Sequence, residues 1–161
     1  LEFVRNLSCE EAKLLERVGE IAIRVQDTCF IDVHDKEWIE AKYGIRAEHH
    51  FSLGELNILY PTDLAIHFFQ ESESKLVFAR GDTILSVELG KASQACKLPV
   101  WKFTSVGQEL LTLVATRDDK PLLENLGRFF VKNGATASIG TIIERMADNS
   151  YKCVMEPPLT I

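Results

Sequence analysis

The chain has 161 residues, is 46% hydrophobic and carries a formal net charge of −6, which is enough apolar material for a sizeable core in one domain or one domain with an appendage. No stretch approaches the ~18 uninterrupted apolar residues of a membrane-crossing helix. Residues 1–90 hold 17 acids against 9 bases, which argues against a general polyanion-binding surface, whereas residues 91–161 hold 7 against 9 and leave room for a local basic patch.

Glu2, Arg5, Glu10 and Glu11 stand where a signal peptide would be apolar, and the chain opens at Leu1, so a cytoplasmic segment of a longer protein is expected. Cys9, Cys29, Cys96 and Cys153 are scattered without a CxxC pair, and read as reduced, mostly buried thiols.

Ser8 and Glu11 form a capping box at the head of an amphipathic helix over 7–25, with Leu14, Leu15, Val18, Ile21, Ala22 and Val25 on one stripe. Leu14, Val18, Ile21 and Val25 are heptad-like and are a candidate self-association seam with a second copy. Residues 28–33 alternate as a strand. Asp35 then caps a helix over 36–43 that Gly44 stops, with Trp38, Ile39 and Tyr43 facing inward. His34 beside Asp35 has the ingredients of an oriented imidazole, although Asp35 is more simply a cap. A third helix is expected over 51–60, with Ser52 and Glu55 as its capping box, a staple of Phe51 on Leu56, and Pro61 ending it.

A strand over 64–69 follows, with Leu64, Ile66 and Phe68 on one face and Glu71 and Glu73 in the next loop. KLVFAR and TILSVEL flank Gly81 and Asp82, whose glycine-first order suits a type II′ hairpin turn. After a small polar loop over 90–97, Val100 to Phe103 make an aromatic strand. Thr104 or Ser105 caps the next helix, Gln108 completing a box with Ser105, and Gly107 sits where a neighbouring backbone could approach. Asp118 or Asp119 caps a further helix with Pro121 in its first turn and Leu122, Leu123, Leu126, Phe129, Phe130 and Val131 on a broad apolar face, ended by Asn133 and Gly134. Residues 137–154 read as two strands around Asp148, Asn149 and Ser150, with a helix over 142–147 as the rival.

A strand running through Thr and Gly into a Leu-rich helix is how a wing often meets the last helix of a winged-helix domain. The expectation is therefore an α+β fold: a winged-helix-like core of about five helices over 1–116 with the hairpin as wing, then a C-terminal helix and short hairpin over 117–161 packed on it, one domain overall.

Three segments, LSCEEAKLLERV from Leu7, FSLGELNILYPTDLA from Phe51 and VWKFTSVGQELLTLV from Val100, together resemble an uncharacterised bacterial family, the domain of unknown function numbered 2806. The likeness covers most of the chain. It implies a bacterial cytoplasmic protein with helices around a winged-helix-like core, and it carries no catalytic residue to any position here.

The chemistry-bearing residues point the same way. His49 and His50 are adjacent and cannot chelate at i, i+4 spacing, and there is no HExxH, Walker loop, GxGxxG or GxSxG. No catalytic residue, metal or cofactor is expected. SLGELNILY holds no cation with which to read a groove. Lys91, Lys97 and Lys102 form the one cationic run, and Trp101 beside Lys102 could stack a base. The reading is a non-catalytic module that binds another protein or a second copy of itself, away from any membrane, with a nucleic-acid-binding regulator as the alternative.

Overall fold

In a computed structural model that describes residues 7–25, 28–62, 65–69, 74–90, 96–147 and 150–161, the first capping box closes as its sequence requires. The Ser8 amide donates to Glu11 Oε2 at 2.6 Å and the Glu11 amide donates to Ser8 Oγ at 3.2 Å, opening α1, Cys9–Glu20. The Ser8 amide first, and then the Ser8 hydroxyl, hold the Glu11 carboxyl below its usual range.

The helix does not continue to Val25. Ile21 leaves it at φ −112°, and Ala22–Val25 forms strand β1. Ile21, Ala22 and Val25 fit a helical and an extended period alike, and the β-branched Ile23 and Val25 settle the local choice in favour of the strand.

β1 pairs antiparallel with β2, Thr28–Asp32, which pairs in turn with β6, Lys97–Lys102. Phe30 and Ile31 point to opposite faces and both are fully buried, as in a central strand covered on two sides. With β3, Ala65–Phe68, the sheet order is β1-β2-β6-β3. Ile66 and Phe68 share a face of β3 as expected, but that face is exposed; Leu64, Glu71 and Glu73 lie outside the described residues.

Helix α2, Lys36–Tyr43, is capped by Asp35, which accepts the Trp38 amide at 3.0 Å, and ends at Gly44 with φ +65°. Arg17 donates to the Tyr43 and Gly44 carbonyls at 3.0 and 2.8 Å, placing a cation where the helix carbonyls lack partners. Helix α3 spans Ala47–Glu55, not 51–60. His49 Nδ1 accepts the Arg46 amide at 2.9 Å, doing what a glutamate does in a capping box, and Ser52 donates inside the helix to the Glu48 carbonyl. Asn57 takes φ +55°, and Leu59 is extended in a bridge to Phe103.

Thr104 is the cap of α4, Ser105–Leu111. Its Oγ1 accepts the Gly107 amide at 3.0 Å and donates to the Asn57 carbonyl at 2.5 Å. A Cβ on Gly107 would collide with the Ile58 carbonyl, the close backbone approach that a glycine there permits.

The hairpin forms in the expected register, with β4, Lys75–Arg80, and β5, Thr83–Glu88, around Gly81 at φ +55°. β5 pairs with β7, Thr136–Arg145, and β7 with β8, Tyr151–Met155, giving the order β4-β5-β7-β8. The strand reading of 137–154 therefore holds over its helical rival; Asp148 and Asn149 lie outside the described residues. Helix α5, Lys120–Lys132, is capped by Asp119, which accepts the Leu122 amide at 3.0 Å. Asp118 serves elsewhere, accepting the Asp82 and Thr83 amides at 2.6 and 3.0 Å and so fixing the hairpin turn. Leu122, Leu123, Leu126 and Phe130 of α5 are buried, Phe130 against Phe69 and Phe78 at ring distances of 5.3 and 5.7 Å. Each such side chain contributes about 1.5–3 kcal/mol by leaving water.

The winged-helix expectation is overturned. Among the described residues there are two antiparallel four-stranded sheets with eight strands and five helices. The hairpin is no wing: β5 goes on to pair with β7, so the hairpin is one half of a sheet. The chain divides into two compact units, residues 1–66 with 98–116, and 67–97 with 117–161, the boundary falling inside β3 and at the start of β6.

Candidate functional site

In the first unit, alternation along β2 turns Asp32 inward at its end, and the chain bends so that His34 returns over it. The Asp32 side chain is 1% exposed. Both its oxygens lie against His34 Nδ1, at 2.9 and 2.8 Å, and Oδ1 also accepts the His34 amide at 3.0 Å. A buried carboxylate against Nδ1 fixes the ring's orientation. Asp35 caps α2 as expected, and the carboxylate that orients the His34 imidazole is Asp32. The adjoining recess, about 450 Å³, is lined by Val33, His34, Asp35, Lys36, Glu37 and Pro99. Among the described residues that line it there is no hydroxyl or thiol.

A wider groove, about 590 Å³, runs between α1 and α3 past Arg17, His49, Glu10 and Glu55. Arg17 and His49 are engaged with helix ends there. Burial, then the Arg17 charge, lowers the His49 pKa, keeping Nδ1 available as an acceptor. The other histidine of α3, His50, is buried, stacks on Trp101 at 4.8 Å and lies 3.1 Å from the Tyr60 carbonyl.

The described candidate nucleic-acid residues do not share one exposed face. Trp101 is 4% exposed. Lys97 and Lys102 differ in parity along β6 and so point to opposite faces, and Lys91 lies outside the described residues. Nor do the candidate self-association residues share one helix: Leu14 and Val18 belong to α1, Val25 to β1, and Val18 and Ile21 are fully buried. All four cysteines are free; Cys29 and Cys96 are buried, and burial raises both thiols. Among the described residues no group of three or more His, Cys, Asp and Glu could hold a metal ion, and no helix is long and apolar enough to cross a membrane.

The second unit presents a different feature. The Leu89 amide donates to the Ser74 carbonyl at 3.0 Å, so Ser74 and Leu89 are a hydrogen-bonded pair. The alternation of an antiparallel ladder then turns the N–H and C=O of Leu76 and Phe78 towards β5, and those of Lys75, Val77 and Ala79 away from it. β4 is an end strand of its sheet, and no described residue bonds to the outward backbone groups of Val77 or Ala79. The side chain of Val77 is 41% exposed. It belongs to the sheet face opposite α5, a hollow of about 420 Å³ that Ile84, Tyr151, Cys153 and Met155 also line. At the sheet's other end the β7–β8 pair is irregular, with Ile143 of β7 as the extra residue between Ile142 and Glu144, and Pro157 and Pro158 come after β8. β4 has neither proline nor bulge. Its openness was not legible in the sequence, because which hairpin strand becomes the edge depends on where β7 docks.

A family model described as "Protein of unknown function (DUF2806)" matches residues 1–127. No curated protein and no solved structure matches the chain.

Proposed function

Since the chain belongs to the DUF2806 family of proteins of unknown function, we propose a role from its surface chemistry: a non-catalytic protein-interaction module that accepts an extended strand along β4. The observation that carries this reading is the outward backbone of Val77 and Ala79, donors and acceptors without described partners on an edge that lacks proline and bulge. An added strand satisfies those groups, and Val77 with the hollow beside it supplies an apolar contact for alternate side chains. Asp32, His34, His49 and Thr104 are occupied in holding turns and helix ends, which supports a module without reaction chemistry.

The test is a photoreactive phenylalanine analogue placed at Val77 in the full-length protein, in the cells that make it, with the same group at Arg128 on α5 as control. The reading expects crosslinks from position 77 to one defined protein, a second copy included, and none above background from position 128. Equal, diffuse labelling from both positions would contradict it.

A further inference from the structure

Resting on that reading, we propose that the strand β4 accepts is β4 of a second copy, paired antiparallel about a two-fold axis at Val77, so that the two four-stranded sheets become one of eight. An isologous contact requires a surface complementary to itself, and antiparallel pairing of a strand with its own copy meets this requirement.

The residues of β4 select the register. With Val77 opposite its own copy, Lys75 faces Ala79, so no like charges lie directly across the junction. Leu76 faces Phe78, and both are already buried in the sheet face that carries α5, so neither sets a polar group against the partner on that side. Moving the axis to Phe78 would set Leu76 against Arg80 and carry Lys75 beyond the strand to Gly81. The register at Val77 also makes Lys75–Ala79, Val77–Val77 and Ala79–Lys75 the hydrogen-bonded pairs, each exchanging two N–H···O bonds through groups that β5 leaves unused. The remaining sheet ends are shorter: β1 and β3 have four residues each and β8 has five, against six in β4.

Sedimentation of the full chain over a wide dilution series, on wild type, Val77→Pro and Val77→Lys, tests the proposal. Proline at 77 removes an amide that points away from β5, leaving the β4–β5 ladder intact while deleting the central bonds of the junction. Wild type is expected to show a reversible monomer–dimer equilibrium and Val77→Pro to stay monomeric. Val77→Lys sets two cations opposite each other, so its dimer is expected to be at least about tenfold weaker and to recover with salt. The lysine variant keeps the test open should proline disturb the fold. A wild-type dimer unaffected by both substitutions overturns the proposal, as does a monomeric wild type. A monomer whose position 77 crosslinks to a different protein rejects the second copy while sparing the interaction reading. A monomer without specific crosslinks rejects both.

Discussion

Thr104 and Val77 each have backbone groups that the ladder of their own sheet does not use, and the two units treat them oppositely. In the first unit the Thr104 amide donates to the Ile58 carbonyl at 3.0 Å, its hydroxyl joins Asn57 to Gly107, and the chain closes on itself. In the second, Val77 sits mid-strand and half its ladder is unmade. An unpaired backbone group is tolerable at a surface because water can bond to it, yet a row of them on a proline-free strand is a template for another strand. The first unit uses its polar atoms to finish its fold, whereas the second leaves the outward backbone groups of Val77 and Ala79 without described partners.

Breaking either unit's interior should produce the largest effects. Phe130→Ala removes the ring packed on Phe69 and Phe78, and about 3–5 kcal/mol of stability is expected to go in urea denaturation. Amide protection should fall first in residues 67–97 and 117–161; equal loss everywhere would show that the two units do not open separately. Gly107→Ala tests the closed junction of the first unit. Its methyl meets the Ile58 carbonyl, and about 1–3 kcal/mol should be lost, whereas an unchanged urea midpoint would mean the approach is not tight. Asp32→Ala leaves the His34 amide and imidazole without their carboxylate and should cost about 1–3 kcal/mol, with the β2–α2 turn exchanging faster.

The smallest expected effect is a dependence on pH. The His49 pKa is lowered in the folded chain, so its contribution is fully present above the unfolded value of about 6.5 and is lost as pH falls below it, when a protonated Nδ1 can no longer accept the Arg46 amide. Denaturation at neutral and mildly acidic pH should show this loss in wild type and less of it in His49→Gln, whose amide oxygen can still accept. An identical pH response in both proteins would remove His49 from the account.

What the sequence revealed follows the range of the forces involved. Ser8 with Glu11, Asp35 with Gly44, and Asp119 with Pro121 act within one helical turn, and all close where their spacing said they would. The β4–β5 hairpin, set by Gly81 and Asp82, is equally local. The winged-helix architecture failed because pairing between distant strands decides it, and no short pattern in β5 says that Leu85 will lie beside Ile139. Two local signals were nevertheless misread. Histidine can take the reciprocal place in a capping box, which moved α3 to Ala47–Glu55. Residues two apart at a strand end share a side, which brings Asp32 to His34, a partner that the sequence reading did not consider. Segments spread over most of the chain carried the family resemblance correctly, since that likeness depends on no tertiary contact.

The most direct test of the open edge is amide hydrogen exchange at Val77 and Ala79, followed as protein concentration rises, with Leu76 and Phe78 as internal references already bonded to β5. The account expects the two outward amides to exchange fast when dilute and to slow as copies associate, while the references stay protected throughout. Slow exchange at Val77 and Ala79 even at the lowest concentration would mean that the edge is already occupied within a single chain, and would contradict it.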